Sequence, residues 1–162
     1  MLILALAIAQ PVAAQSFKPD WDAGHAAFKQ KDYATALRHW RPLAKQGDAD
    51  AQLWLGSMYE YGWGVTKDLK KAVRWYRLAA KQGRAHVQVF LGEMYRDGLG
   101  VVQDLVMAYV WYSVSIANGS NWPPENRDKI LARLNSSERK LALELSKRCF
   151  KKPEKCPEYS DD

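Results

Sequence analysis

The residues best suited to chemistry in this chain of 162 residues are few and scattered. Ser137 and Lys140 stand in the Ser-x-x-Lys spacing of penicillin-recognising serine enzymes, but the Ser-Asp-Asn and Lys-Thr-Gly elements that complete such a site are missing from the sequence. Glu60, Glu93 and Asp97 are candidates for the paired carboxylates of a glycoside hydrolase, provided that two of them share one concave face. Acids near helix ends are ordinary, so a hydrolase is the least favoured function and we expect no catalytic residues.

We expect neither a metal site nor a cofactor site. His25, His39 and His86 are scattered, and two cysteines cannot supply the four ligands of a structural zinc site. An even number of cysteines fits an oxidising compartment, and Cys149 and Cys156 are therefore predicted to form a disulfide. The alternative is a pair of unconnected thiols.

A glycine-x-glycine sequence at Gly62 and Gly64 resembles part of a phosphate-binding loop. Such a loop follows a β-strand, whereas the residues before Gly62 have helical spacing. The same sequence recurs at Gly98 and Gly100, and a loop that serves one ligand has no reason to recur at a fixed interval. We therefore interpret all four glycines as structural turn residues that supply positive φ values.

The recurrence belongs to a repeat of about 36 residues. Residues 51–83 and 87–119 are identical at 14 of 33 positions. Each copy reads as two helices, with Asp68 and Asp104 as N-caps of the second helix. A shorter, degenerate copy precedes them, and its turn lacks the glycine-x-glycine sequence. Terminal repeats are often atypical in this way. That copy is marked by Asp32, Ala36, Trp40 and Gly47.

This pattern resembles the Sel-one-like repeat, a relative of the tetratricopeptide repeat, over about residues 20–120. The central copy carries the resemblance through Leu55, Gly56, Tyr59, Gly62, Gly64, Val65, Asp68, Ala72, Trp75, Tyr76 and Gly83. The resemblance implies an all-α protein, a right-handed α-solenoid of helix-turn-helix repeats. It also implies the work of assembling or adapting protein complexes without catalysis.

The ends of the chain differ from the repeats. An uncharged apolar run followed by small residues at Val12 and Ala14 predicts an exported protein, periplasmic or secreted, with no other membrane segment. Beyond the repeats, two amphipathic helices predict a cap. The expected divisions are a signal peptide (1–14), a degenerate repeat (15–50), two repeats (51–86 and 87–122), a helical cap (123–150) and a polar tail (151–162).

The cap is expected to cover an apolar outer face of the last repeat. Val106 and Val110 stand on that face, and left bare they would extend an exposed apolar patch. We predict that they are buried beneath the cap, or else form a partner or dimer interface. The apolar cap residues that would cover them are Ile130, Leu134, Leu141 and Leu145.

Two surfaces are candidates for partner binding. The basic stripe comprises Lys70, Arg74, Arg77, Lys81 and Arg84, in a chain with a formal net charge of +6. Its helical spacing favours docking of an acidic partner or anionic glycan, and the alternative is a solvated outer helix face. Nucleic acid is disfavoured because the chain is predicted to be exported and contains no recognised nucleic-acid module.

The second surface is an aromatic and methionine ladder on the first helices of the repeats. Trp54 and Phe90 are one repeat apart, beside Met58 and Met94. Such a ladder suits a partner helix or extended peptide, and the alternative is packing between adjacent repeats. The favoured function is an exported, non-catalytic adaptor that binds another protein. The second is a binder of anionic cell-envelope polymer.

Overall fold

A computed structural model describes residues 17–152 and 156–157. The predicted signal peptide (1–14) and most of the polar tail lie outside these residues. Within them the chain is all-α, with no β-strand and no helix that is both long and apolar enough to span a membrane. The helices are α1 (Trp21–Lys29), α2 (Tyr33–Lys45), α3 (Ala49–Tyr61), α4 (Leu69–Lys81), α5 (Ala85–Asp97), α6 (Leu105–Ala117), α7 (Pro124–Arg133) and α8 (Ser136–Lys151).

Aspartate caps and glycine turns set the helix boundaries. The predicted caps at Asp68 and Asp104 are confirmed, since each side chain accepts a backbone N–H from the first turn of its helix. Asp20, Asp32 and Asp48 cap α1, α2 and α3 in the same way. The turn glycines all have positive φ: Gly62 76°, Gly64 67°, Gly98 70° and Gly100 71°.

The first six helices form three pairs, and in each pair a glycine allows an aromatic ring to approach the first helix closely. A Cβ atom at Gly56 would overlap the Tyr76 ring, and one at Gly92 would lie 2.7 Å from the Tyr112 ring. Gly24 makes the same approach to Trp40 in the first pair. The tighter turn of that pair shortens the interval between glycine and ring, which hides this equivalence from a search at a fixed period.

Buried glutamines tie successive pairs together. Gln52 donates to the Ala44 carbonyl at 3.1 Å, and Gln88 donates to the Ala80 carbonyl at 2.8 Å. Each glutamine oxygen then accepts from an amide at the end of its own pair, Gln82 at 2.8 Å and Asn118 at 3.0 Å. Because these buried amides would be costly to leave without partners, they hold the register of the repeats.

The C-terminal helices α7 and α8 both pack on α6 and close the end of the array. Val110 is fully buried in a core cluster that includes Ile130 and Leu145, so the cap covers the last repeat as predicted. Val106 is only partly buried, and Leu141 is exposed. Leu141 is therefore not part of the buried cover, although it lines the same surface cleft as Val106 and Leu134. It lies one turn before the buried Leu145, at the edge of that cover.

A disulfide joins Cys149 to Cys156, and both cysteines are buried in the same core cluster. It fixes the chain after α8 to the last helix of the cap. A disulfide of this kind stabilises chiefly by restricting the unfolded chain, and a short loop contributes roughly 2–3 kcal/mol on the chain-entropy model. Both cysteines are thereby accounted for without free thiols.

Candidate functional site

Two equivalent junctions lie where one helix pair meets the first helix of the next. The first junction is formed by His25, Phe28, Trp40 and Trp54. The second junction is formed by Ser57, Glu60, Tyr76 and Phe90. The tyrosine and tryptophan that cover Gly56 and Gly24 hold the same position in each, so differences between the junctions come from the other side chains.

The first junction is closed by aromatic packing. The Trp54 ring lies 4.8 Å from Phe28, 5.3 Å from Trp40 and 5.9 Å from His25, measured between ring centroids. Trp54 is therefore only partly exposed. The contacts match the alternative interpretation, in which Trp54 packs one repeat against another instead of facing a partner.

The second junction is open. Phe90 is 41% exposed, and its ring lies 6.2 Å from that of Tyr76 and 6.3 Å from that of His86. Tyr61, at the end of α3, is 59% exposed. The two methionines of the predicted ladder are buried, Met58 at 0% and Met94 at 3% exposed, which matches the alternative of packing between repeats and not contact with a partner. Met58 belongs to the core cluster that α3 forms with α1 and α2, and Met94 belongs to the cluster that includes residues of α4 and α6.

Polar groups line the second junction. The Tyr76 hydroxyl donates to Glu60 Oε2 at 2.6 Å and lies 3.0 Å from Ser57 Oγ. Burial, followed by the hydrogen bond to Glu60, raises the pKa of Tyr76. The charge of Glu60 also raises the pKa of the exposed Tyr61, with smaller contributions from burial and from Glu93. Tyr76 thus stays a neutral donor that fixes the Glu60 carboxylate.

A second carboxylate, Glu93, follows on α5. Burial raises its pKa, and the charges of Asp97 and Glu60 act in the same direction, while Arg96 opposes them. Arg96 is bound by Asp97 through two hydrogen bonds of 2.6 and 2.8 Å. The charge of Glu60 therefore acts on Glu93, and neither carboxylate has an ion-pair partner among the described residues.

Tyr112 holds the position of Tyr76 in the next helix pair, one junction further on. Tyr112 is 1% exposed, and its ring stacks on Trp122 at 5.5 Å. Burial raises the pKa of Tyr112 to about 12, and the neighbouring charges are those of Arg96, Glu93 and Asp97. Its hydroxyl has no hydrogen-bond partner of good geometry in the described part of the chain. Buried hydroxyl groups are normally bonded, so this oxygen is an exception.

The basic stripe is less open than its spacing predicts. Arg77 is buried at 9% exposure, and its Nη2 donates to the Tyr95 hydroxyl at 2.8 Å. Its placement on a solvated outer face is wrong, because α5 packs against that side of α4. Arg84 makes an ion pair with Asp50 at 2.7 Å. Lys70 and Arg74 are exposed, and Lys81 is partly exposed.

The other candidates for chemistry are not assembled into a site. Ser137 and Lys140 are both exposed in the first turns of α8, where Asn135 and Glu138 form a capping box. No cluster of three metal-ligating side chains occurs among residues 17–152 and 156–157. Of the three acids, Glu60 accepts a hydrogen bond from Tyr76, Glu93 is partly buried on α5, and Asp97 is bound by Arg96.

Sequence reasoning missed the tyrosines of the site. Tyr76 and Tyr112 are identical across repeats, which signalled a shared packing role but not the different partners of their hydroxyl groups. Tyr61 had no signal, because Asp97 takes its place in the next copy. For Glu60 and Glu93, the sequence suggests only the role of paired acids in a hydrolase.

Comparisons with known proteins agree with this architecture. The model of the Sel1 repeat matches residues 24–48, 49–83 and 85–120, more than half of the chain. A search of curated proteins found no match.

Two solved structures are similar to this chain. One is c5321, a protective antigen of uropathogenic Escherichia coli strains with an SLR fold, at 34% identity and a TM-score of 0.74. The match covers 82% of this chain and 30% of that one, so this chain spans less than a third of its length. The other is a Sel1 repeat protein from Oxalobacter formigenes, at 31% identity and a TM-score of 0.62 over 67% of this chain and 85% of that one.

Three observations support one family assignment: the helix pairs, the glycine–aromatic contacts and the three segments matched by the family model. The chain belongs to the Sel1 repeat family of α-solenoids, whose members generally act as scaffolds for protein–protein interaction.

Proposed function

We propose that the protein is an exported, non-catalytic adaptor that binds another protein across the second junction. The observation that carries the proposal is the pair of large exposed aromatic side chains, Tyr61 and Phe90, at the junction where Tyr76 binds the Glu60 carboxylate. Aromatic side chains are enriched where proteins bind partners. The family's general role as a scaffold supports a protein as the partner.

Export is supported by the disulfide between Cys149 and Cys156, since such bonds persist in oxidising compartments. The apolar run at the start of the sequence points the same way. A periplasmic or secreted location therefore belongs to this proposal.

Photocrosslinking tests the binding surface. A photoreactive phenylalanine analogue at Phe90 should form a covalent adduct with a partner protein in the cells that produce the chain. Leu143, which is 44% exposed on α8, provides the matched control position and should give no such adduct. Equal labelling at both positions, or labelling at neither, would contradict the proposal.

The second candidate function is binding of an anionic envelope polymer through the basic stripe. The exposed Lys70 and Arg74 on α4 and the net charge of +6 favour it. Binding of that kind weakens steeply with salt because counterions screen exposed charges. Retention on immobilised heparin that salt removes, and that Lys70→Gln with Arg74→Gln abolishes, would support this candidate over the second junction.

A further inference from the structure

The outward face of α8 carries a row of positive charge. The inner side of this helix is marked by Leu145 and Cys149, which are buried in the core. At 100° per residue, Lys140, Lys147 and Lys151 lie on the opposite side of the helix, within about 40° of one another. All three lysines are exposed. The helix therefore presents cations to solvent along about 16 Å of its length.

Two large apolar side chains border this row. Leu143 is 44% exposed and Phe150 is 49% exposed. Because they are seven residues apart, they lie on the same side of α8, next to Lys147. Side chains of this size that stay in water forgo the hydrophobic free energy that burial would give. The face thus offers apolar contact area as well as charge.

The cations of this face are not neutralised within the described part of the chain. A shallow groove along α8 is lined by four cationic side chains, one carboxylate and one leucine: Lys140, Leu143, Glu144, Lys147, Arg148 and Lys151. Lys152 follows directly and is also exposed. None of these cations forms an ion pair with a described residue. The net charge of the face is positive, and an anionic surface is complementary to it.

Charge and apolar area on one helix face favour a lipid bilayer as the complementary surface. Lysine and arginine on an amphipathic helix are attracted to anionic headgroups, and neighbouring apolar side chains enter the boundary between headgroups and acyl chains. A soluble polyanion would engage the cations, but it offers Leu143 and Phe150 no apolar medium to enter. The arrangement therefore favours a membrane over a soluble polymer.

We propose that α8 docks the protein peripherally on a bilayer that contains anionic phospholipid. Lys140, Lys147 and Lys151 lie at the headgroups, and Leu143 and Phe150 insert beside them. This surface shares no residue with the second junction, so membrane docking and partner binding are separate events. The inference thus adds a place of action to the adaptor and does not depend on the identity of its partner.

Co-sedimentation with lipid vesicles tests this inference. The chain without its predicted signal peptide (residues 15–162) is used, because an apolar run of that kind would itself bind lipid. Vesicles of phosphatidylcholine alone are compared with vesicles of phosphatidylcholine and phosphatidylglycerol in equal parts. We expect the protein to bind the vesicles with phosphatidylglycerol at least about tenfold more tightly, and less tightly as salt is raised.

Paired charge variants locate the contact. Lys147→Gln with Lys151→Gln should weaken binding to the anionic vesicles at least about tenfold, since each cation near an anionic membrane contributes about fivefold to affinity. Lys70→Gln with Arg74→Gln makes the same change of charge at exposed residues of α4 and is the matched control. This control should bind almost as tightly as wild type.

Paired apolar variants test insertion. Leu143→Gln with Phe150→Gln preserves the charge but removes the apolar side chains, and should weaken binding at least about fivefold. Leu78 and Leu99 are 45% and 41% exposed outside α8, so Leu78→Gln with Leu99→Gln is the matched control and should bind like wild type. Thermal unfolding checks that all variants remain folded.

The other outcomes would overturn the inference. They include equal binding to the two kinds of vesicle, binding to neither, and loss of binding in the α4 variant but not in the charge variant of α8. An apolar variant that binds like wild type would mean that α8 recognises charge alone, in favour of a soluble polyanion or an acidic protein. None of these outcomes changes the expected photocrosslinking at Phe90, which judges the adaptor function separately.

Discussion

The first and second junctions have the same backbone arrangement, but the aromatic residue of the next repeat is covered in the first and exposed in the second. In both, a glycine of the first helix receives an aromatic ring from the second helix, and an aromatic residue of the next repeat packs beside it. In the first junction that residue is Trp54, enclosed by Phe28 and His25. In the second it is Phe90, which lies beside Tyr76 and His86 and stays 41% exposed.

The comparison shows how one repeat unit serves two purposes. Replacing two aromatic neighbours by Ser57 and Glu60 removes the cover from the next aromatic residue. Packing free energy is given up at the second junction, and an open surface with charge and rings is gained. Aromatic pairs add about 0.5–1.5 kcal/mol beyond the area they bury, so the first junction is the stabilising one.

Replacing the two equivalent aromatic residues should give the largest contrast. Trp54→Ala should lower the free energy of unfolding by about 2–4 kcal/mol, because it leaves a cavity among Phe28, Trp40 and His25. Phe90→Ala should cost less than about 1 kcal/mol, since much of the side chain is already in water. Denaturant unfolding measures both. Equal losses would remove the distinction between the junctions.

The turn after α3 offers the next contrast. Gly62 and Gly64 both have positive φ, so valine is strained at each, by about 1–3 kcal/mol. A Cβ atom at Gly64 would also lie 2.5 Å from Cβ of Tyr33, which packs beside the first junction, whereas the nearest atoms to one at Gly62 are 3.5 Å away. Thermal unfolding should show Gly64→Val as the less stable variant. The reverse order would mean that the Tyr33 contact is absent.

Replacing Gly56 with alanine should disturb the hydrogen bond between Tyr76 and Glu60 at the second junction. Gly56→Ala puts a methyl group into the Tyr76 ring, which overpacks the site and should cost about 1–2 kcal/mol. Displacing the ring weakens the bond from its hydroxyl to Glu60. The titration of Tyr76, followed by ultraviolet absorbance, should move back toward that of an ordinary tyrosine. An unchanged titration would show that the ring had not moved.

The smallest effect concerns the Glu93 carboxylate. Because burial raises its pKa in the folded protein, the protonated form is favoured there, and ionisation costs stability as the pH rises through the folded pKa. Glu93→Gln mimics the neutral form, so it should be slightly more stable than wild type at pH 7. The difference should disappear on acidification below the unfolded carboxyl pKa.

Thermal unfolding across pH measures this difference, with Glu144→Gln as the matched control that should follow wild type. A variant that is less stable than wild type at pH 7 would contradict the account of Glu93 as an uncompensated carboxylate. It would mean instead that the ionised group makes a favourable contact in the folded state.

The basic stripe shows why helical spacing alone could not predict the site. Lys70, Arg74 and Arg77 share one side of α4 by periodicity, and periodicity treats a helix as an isolated cylinder. In the solenoid the next repeat covers part of that side, so Arg77 is buried against Tyr95 while Lys70 stays exposed. The same limit applies to Met58 and Met94, whose burial depends on the neighbouring helices that pack against α3 and α5.

The sequence by itself determined the repeat, its helix pairs, the turn glycines and the aspartate caps, because these are local requirements of backbone geometry that recur at a fixed interval. It also indicated the disulfide and the cap over Val110. Only the tertiary structure decided which equivalent residues are covered. Whether Trp54 or Phe90 faces solvent depends on Phe28, His25, Ser57 and Glu60, which are distant along the chain or differ between copies. Exposure is a property of the neighbours that packing brings together, and the open, negatively charged second junction exists only in that packing.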